Sequence, residues 1–169
     1  AGSDGAALER ELVEVARETG MLIAGPNGQG LVSTPVGLCA QIVAPDPPAG
    51  RIAVVSQSGN FVSGFSNLAR HSGVGISRAI SAGNAAVVGI SDYLRYFTAD
   101  DDTAVSFVYL EGVEEGKRLI EALTDAAVEK PVVAGTPQFL VTGSVHEVGK
   151  SEGVPNAVIK FEGRDLTGL

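Results

Sequence analysis

The chain is poor in the residue types that disulfide-bonded and metal-binding proteins require. Cys39 is the single cysteine among 169 residues, so no disulfide can form within the chain and the cysteine-based metal spacings are absent. The two histidines, His71 and His146, lie far apart in the sequence, which leaves no histidine-pair metal motif. We therefore expect no metal site.

Basic residues are also scarce. Twelve Lys and Arg residues stand against 20 Asp and Glu residues, which gives a formal net charge of −8, and the basic residues form no cluster. Because binding nucleic acid requires clustered cations, we expect no nucleic-acid partner. No apolar run is long enough to span a bilayer, and the first residues lack the basic start and apolar middle of a signal peptide. We expect no membrane partner and a cytoplasmic location.

Tryptophan is absent and aromatic residues make up 5% of the chain, so the core must consist of aliphatic side chains. Short β-branched runs alternate with amphipathic segments, and this pattern predicts four strands and three helices. The strands are expected at residues 51–55, 75–81, 104–110 and 131–134, and the helices at 60–72, 88–97 and 114–128. Such alternation is typical of βαβ crossovers. The sequence thus predicts an α/β fold, a doubly wound parallel sheet with helices on both faces.

The first part of the chain has a different pattern. A helix is predicted at residues 4–19 and a short strand at 21–24, followed by an apolar, aperiodic segment at 31–44. A linker rich in proline follows at residues 45–50. We predict a boundary there: residues 1–46 are the C-terminal remnant of an earlier domain plus a linker, and residues 47–169 form the main domain. Within the latter, 139–142 and 157–161 are candidate strands, but the role of 135–169 is unassigned.

The most informative segment is Ser56-Gln57-Ser58-Gly59-Asn60, which joins a predicted strand to a predicted helix. Such a turn places hydroxyl groups and unpaired backbone N–H groups at the start of a helix. Those groups and the helix dipole favour a phosphate or another anion. The alternative is that Ser58 or Asn60 simply caps the helix and Gly59 relieves a tight turn.

Glycines and polar residues follow two further strands. Gly83-Asn84 comes after the second strand, and Glu111-Gly112 after the third. Ligands of parallel α/β sheets bind beyond the carboxyl ends of the strands, so we expect these segments to form one site with residues 56–60. Taken singly, Gly83-Asn84 could be a plain turn and Glu111 a solvated loop acid.

Five segments, taken in order, resemble the NDP-forming acyl-CoA synthetases, such as ADP-forming acetate–CoA ligase, and more distantly the α subunit of succinyl-CoA synthetase. They are Gly25-Pro26-Asn27, residues 48–59, Ser81-Ala82-Gly83-Asn84, Tyr109-Leu110-Glu111 and Lys130-Pro131-Val132-Val133. The resemblance covers residues 5–134. It implies that residues 47–169 form the three-layer, flavodoxin-like second domain of such an enzyme. A CoA-binding Rossmann-type domain would precede it, and an ATP-grasp domain or subunit would bind the nucleotide.

The resemblance also implies a chemistry. That family joins an acid, CoA and a nucleoside triphosphate through an acyl phosphate and a phosphohistidine, and releases acyl-CoA, NDP and phosphate. Its phosphate-binding turn corresponds to Ser56, Gln57, Ser58, Gly59 and Asn60. Glu111 corresponds to the acid that contacts the catalytic histidine, and a carboxylate there would fix the tautomer of the imidazole. The supporting loops correspond to Gly83, Asn84, Gly25, Pro26 and Asn27.

CoA and a magnesium nucleotide are therefore implied for the complete protein, with neither expected to bind tightly to this chain. The CoA-binding and ATP-grasp parts are the implied partners, and a homo-oligomer is compatible with the sequence. We expect the isolated chain to be inactive as an acid–thiol ligase.

The chain departs from the family at three places. Gly28 stands where the family has cysteine, and Ala86 where an aspartate is usual. His146 lies near the distance expected for the phosphorylated histidine, but the small residue and glycine that should follow it are missing. An alternative therefore stays open, a non-catalytic regulatory or binding module of the same fold without a phosphorylated histidine. A third hypothesis is an unrelated flavodoxin-like binder of phosphate or nucleotide, although no G-x-G-x-x-G or Walker sequence is present.

Overall fold

The structure, a computed structural model, describes residues 2–42, 46–113, 115–136, 140–144 and 158–160, the last two segments by their backbone. Within these ranges, eight strands form one sheet in the order β2-β1-β4-β3-β5-β6-β7-β8, flanked by four α-helices. The strands are β1 Gly30–Ser33, β2 Leu38–Gln41, β3 Ala49–Ser56, β4 Ile76–Ser81, β5 Val105–Tyr109, β6 Val132–Gly135, β7 Leu140–Ser144 and β8 Val158–Lys160. The helices are α1 Ser3–Thr19, α2 Gly59–Ser72, α3 Ile90–Ala99 and α4 Gly116–Glu129, and a short 3-10 helix spans Thr34–Val36.

The four central strands, β4, β3, β5 and β6, are parallel, as the alternation of strands and helices predicts. The pairs at both margins are antiparallel: β1 joins β4 and β2 on one side, and β7 joins β6 and β8 on the other. The candidate strands at 139–142 and 157–161 are thus confirmed as β7 and β8. They extend the sheet beyond its parallel centre.

Helices cover both faces of the sheet, which confirms the three-layer arrangement. On one face, Val62 and Ala69 of α2 pack with Ile76 and Ala79 of β4. On the other face, α3 and α4 pack against β3 and β5. That larger cluster includes Ala53, Val55, Leu94, Phe97, Val108, Leu119 and Ala126, each at most 8% exposed. Residues 53–56 of β3 are buried on both faces, which explains the apolar run Ala53-Val54-Val55.

The prediction of a strand at residues 21–24 is wrong. Those residues have no regular secondary structure and do not pair with the sheet, and Leu22 is 82% exposed. Instead, Ile23 and Gly25 accept hydrogen bonds from the backbone N–H groups of Val88 and Ala86, at 3.3 and 3.0 Å. The free edge of β4 that such a strand would need is taken by β1.

The β1–β2 hairpin was missed by the sequence analysis, which treated residues 31–44 as aperiodic. The hairpin extends the sheet that contains β3 and β4, while the boundary predicted near residue 46 stays a prediction. Within the described ranges, the helices are too short or too polar to cross a membrane.

Candidate functional site

The carboxyl ends of the parallel strands lie at one level on one edge of the sheet. Ser56, the last residue of β3, pairs with Ser81 at the end of β4 and with Tyr109 at the end of β5. Tyr109 in turn pairs with Gly135 at the end of β6. The structure therefore brings the three expected segments, residues 56–60, 81–84 and 111–112, to the same edge.

The turn between β3 and α2 is organised by the buried hydroxyl of Ser56. This oxygen accepts a hydrogen bond from the backbone N–H of Ser58 at 2.9 Å and donates to the backbone oxygen of Ser58 at 2.8 Å. Ser56 is fully buried. The Ser56 hydroxyl thus acts as a donor and as an acceptor within the turn, and it supports the shape of the turn. The role of Ser56 as a phosphate ligand stays a prediction.

The start of α2 has free hydrogen-bond donors. Ser58 is the N-cap residue, yet its side chain makes no capping hydrogen bond, so the simple capping role does not describe it. In the part of the chain that the structure describes, no acceptor contacts the backbone N–H groups of Gly59 and Asn60. Ser58 and Gly59 are half-buried, and Asn60 is exposed. Unpaired amides with a hydroxyl at a helix N-terminus suit an anion of phosphate size.

Gln57 faces the neighbouring loop. Its side-chain oxygen accepts hydrogen bonds from the backbone N–H groups of Glu111 at 2.7 Å and Gly112 at 3.0 Å. Its own backbone N–H donates to the oxygen of Tyr109 at 3.1 Å. A single residue thus ties the turn after β3 to the loop after β5. The carboxylate of Glu111 lies on that loop and is exposed.

The two supporting loops are packed directly on each other. Asn84 donates its backbone N–H to the oxygen of Pro26 at 2.9 Å, and the side chains of Asn27 and Asn84 are hydrogen-bonded at 3.4 Å. Gly83 has a φ of +53°, and a Cβ there would lie 2.2 Å from the backbone oxygen of Pro26. Glycine is therefore required at position 83 by both its conformation and its contacts.

Gly28, where the family resemblance leads one to expect cysteine, is explained by a similar contact. A Cβ at this position would lie 2.4 Å from the backbone oxygen of Ser81. In this chain the loop after Asn27 lies directly on the end of β4, so a side chain at position 28 would force the two apart.

Gln29 is a residue of this edge that the sequence analysis missed. Its backbone N–H donates to the Ser81 hydroxyl at 2.9 Å, and its side-chain oxygen accepts from the Ser63 hydroxyl at 2.8 Å. The same side chain lies against Gly59, where a Cβ would come within 2.5 Å of the Gln29 Cδ atom. Gln29 thus joins the β1 end of the sheet to the first turns of α2. The glycine-rich sequence around it was the available indication of close backbone approach.

A cavity of about 430 Å³ opens at the same edge, between the loops and the starts of α3 and α4. Its polar lining includes Arg17, Gln57, Asn84, Ser91 and Arg118. Arg118 is paired with Glu115 at 3.0 Å and with Asp92, and these contacts raise the pKa of its guanidinium. Glu115 lines the cavity together with Arg17 and Arg118, so the cavity carries charges of both signs.

His146 lies outside the described residues, so its role stays a prediction. Among the described residues, no group of three histidine, cysteine, aspartate or glutamate side chains could hold a metal ion. His71 lies on α2, where its ring nitrogen Nδ1 is 2.8 Å from the backbone oxygen of Asn67, away from the strand ends.

The fold and the edge define an α/β domain in which the start of α2 presents unpaired backbone amides at the carboxyl ends of the parallel strands. Residues 49–142 match the family described as the succinyl-CoA ligase like flavodoxin domain. The chain belongs to this family, and the match confirms the resemblance inferred from the five sequence segments.

Three relatives show the same relationship. Acetate–CoA ligase [ADP-forming] I of Archaeoglobus fulgidus is 43% identical over 133 residues, which are 79% of this chain and 19% of the relative. The α subunit of acetate–CoA ligase [ADP-forming] I of Pyrococcus furiosus is 36% identical over 135 residues, with 78% of this chain and 29% of the relative covered. Among solved structures, the dinucleotide forming acetyl-coenzyme A synthetase 1 of Ca. Korarchaeum cryptofilum, in complex with phosphate and ADP, superposes with a TM-score of 0.73 at 33% identity. That superposition covers 77% of this chain and 28% of the other. The chain thus spans less than a third of the length of each of these relatives.

Proposed function

We propose that this chain is the phosphate-holding part of an NDP-forming acyl-CoA synthetase. The complete protein would convert an acid, CoA and a nucleoside triphosphate into acyl-CoA, NDP and phosphate, through an acyl phosphate and a phosphohistidine. The observation that carries the proposal is the start of α2, where the unpaired amides of Gly59 and Asn60 lie beside the loop that bears Glu111. The names of the relatives support the same reaction, and one solved relative was captured with phosphate and ADP.

Each residue has a role in this proposal that its position supports. The amides of Gly59 and Asn60 and the Ser58 hydroxyl would bind the phosphoryl oxygens at the positive end of the α2 dipole. Glu111 would hold one nitrogen of the catalytic imidazole and make the other a better nucleophile. His146 is the candidate for that imidazole. CoA, the magnesium nucleotide and the domains that bind them would come from other parts of the complete protein, and a cytoplasmic location and a homo-oligomer stay predictions.

Phosphate binding can be tested on this chain alone. Titration with inorganic phosphate should shift the NMR amide resonances of Ser58, Gly59 and Asn60 at millimolar concentration. The amides of Gly116 and Lys117, at the start of α4, serve as the control, because this second helix start lacks the serine-rich turn. Shifts of equal size at both helices, or no shift at α2, would contradict a specific phosphate site.

The phosphohistidine requires the complete protein. Incubation with nucleoside triphosphate and magnesium should give an acid-labile phosphoryl label that is lost in His146→Ala and reduced in Glu111→Gln. A label that survives in His146→Ala would place the phosphorylated histidine elsewhere. Complete absence of label from the wild-type protein, with phosphate binding intact, would favour the non-catalytic binding module instead.

A further inference from the structure

Among the described residues, Gln57 makes the hydrogen bonds that connect the backbone of the Glu111 loop to the turn after β3. The last sheet hydrogen bond before this loop joins the Leu110 N–H to the oxygen of Gly135 at 2.9 Å. The next backbone bond along the described chain joins Leu119 to Glu115, at the start of α4. Between them, the two described hydrogen bonds to the loop backbone are those that the Gln57 oxygen accepts.

We propose that Gln57 is a positioning residue that fixes the place of the Glu111 carboxylate relative to the start of α2. The inference rests on the proposed function, because it gives Glu111 the task of orienting an imidazole. By resemblance Gln57 belongs among the phosphate-binding residues, but the structure gives its oxygen a different task. This oxygen holds the backbone of Glu111 directly.

The chemistry of glutamine suits this task. A carboxamide oxygen has two lone pairs and can accept two N–H donors at once. Because β3 ends at Ser56, the side-chain oxygen of Gln57 accepts these donors in place of a strand backbone oxygen. Gln57 also lies between Ser56 and Ser58, whose mutual hydrogen bonds shape the turn. In this proposal a displacement of the turn moves the backbone of the loop with it, which keeps the spacing between the Gly59 and Asn60 amides and the backbone of Glu111 constant.

A constant spacing matters for the proposed reaction. An imidazole that transfers a phosphoryl group must meet the carboxylate on one nitrogen and the phosphorus on the other, and small errors of placement lower the rate strongly. Loss of the Gln57 contact should therefore reduce the rate of phosphoryl transfer and leave phosphate binding at the α2 amides in place.

The contact itself is tested by amide hydrogen exchange in the 169-residue chain. Gln57→Leu removes the acceptor at similar volume, and Gln57→Glu keeps an oxygen acceptor. The Glu111 and Gly112 amides should exchange about tenfold faster in Gln57→Leu and stay protected in Gln57→Glu, since one hydrogen bond is worth roughly that factor. Asn67→Leu is the control, because it removes an exposed carboxamide from α2, the helix that follows Gln57. It should leave the exchange rates of both amides unchanged. Unaltered exchange in Gln57→Leu would overturn the proposal.

The positioning role is tested in the complete protein. Gln57→Leu should lower the first-order rate of phosphohistidine formation at least about tenfold at saturating nucleotide, with KM for the nucleotide and the phosphate affinity of Gly59 and Asn60 unchanged. A wild-type rate would overturn the proposal, and so would weakened phosphate binding, which would make Gln57 a direct ligand. If the wild-type protein takes no label, the proposed function fails, whereas the exchange experiment still decides whether Gln57 fixes the loop.

Discussion

Replacement of Gly83 by alanine tests the packing that holds the two supporting loops together. Gly83 has a φ of +53°, and a Cβ would lie 2.2 Å from the oxygen of Pro26 and 2.6 Å from the carbonyl carbon of Asn27. Both neighbours are backbone atoms, which cannot rotate away as the end of a side chain can. The Gly83→Ala variant must therefore separate the loops or shift them.

The expected loss of stability has two parts. The left-handed conformation costs an alanine about 1 kcal/mol. Steric displacement of a packed backbone adds roughly 1–3 kcal/mol, so the total should be about 2–4 kcal/mol. Gly73→Ala is the matched control, because Gly73 has a φ of +73° and nothing within 4 Å of its Cβ position. It should lose only the conformational part.

The measurement is the free energy of unfolding by urea for the wild type and both variants. Gly83→Ala should lie at least about 1 kcal/mol below Gly73→Ala, which corresponds to roughly 2–4 °C in Tm for a chain of this size. The amide resonances of Asn27 and Asn84 should move in Gly83→Ala and stay in place in the control. Equal stability of the two variants would show that the loops do not meet as the structure describes.

The parallel centre of the fold was predictable because burial on both faces produces a simple sequence pattern. Residues 53–56 of β3 and all of β4 are buried, so β3 ends in an apolar run, and β4 consists of apolar and small residues interrupted by the buried Arg78. The β1–β2 hairpin was missed for the opposite reason. Its strands have four residues each, and Leu38 and Cys39 of β2 are exposed, so neither an apolar run nor a clear alternation marks them.

The error at residues 21–24 shows what an apolar run leaves undetermined. Met21 and Leu22 are hydrophobic but 59% and 82% exposed, and the sequence alone does not say which edge of the sheet is free. In the structure β1 pairs with β4, and the segment at 21–24 bonds to the loop before α3 through the oxygen of Ile23.

The site was predictable in its location but not in its contacts. The order of strands and helices places residues 56–60, 83–84 and 111–112 at one edge, and that expectation uses only topology. The direction of a side chain depends on partners that are distant in sequence. Gln57 meets Glu111 54 residues later, and Gln29 meets Ser81 52 residues later, and no local pattern encodes either contact.

Two further variants test the turn and the single thiol. Ser56→Ala should cost about 1–3 kcal/mol in the free energy of unfolding, because the half-buried Ser58 N–H loses its acceptor. Ser72→Ala, with an exposed hydroxyl, should stay within about 0.5 kcal/mol, and equal costs would contradict the role of Ser56. The hydrogen bond to Asp46 raises the pKa of the exposed Cys39 thiol. Burial and the charge of Asp46 raise this pKa further, by smaller amounts. A raised pKa means less thiolate at neutral pH, so Asp46→Asn should lower the pKa and speed alkylation by iodoacetamide at pH 7.5. Asp101→Asn, which removes an exposed acid at a different loop, should leave the rate unchanged. The difference between the two variants should vanish well above the thiol pKa, where every chain carries the thiolate. A rate in Asp46→Asn equal to the wild-type rate at pH 7.5 would show that Asp46 does not control the thiol.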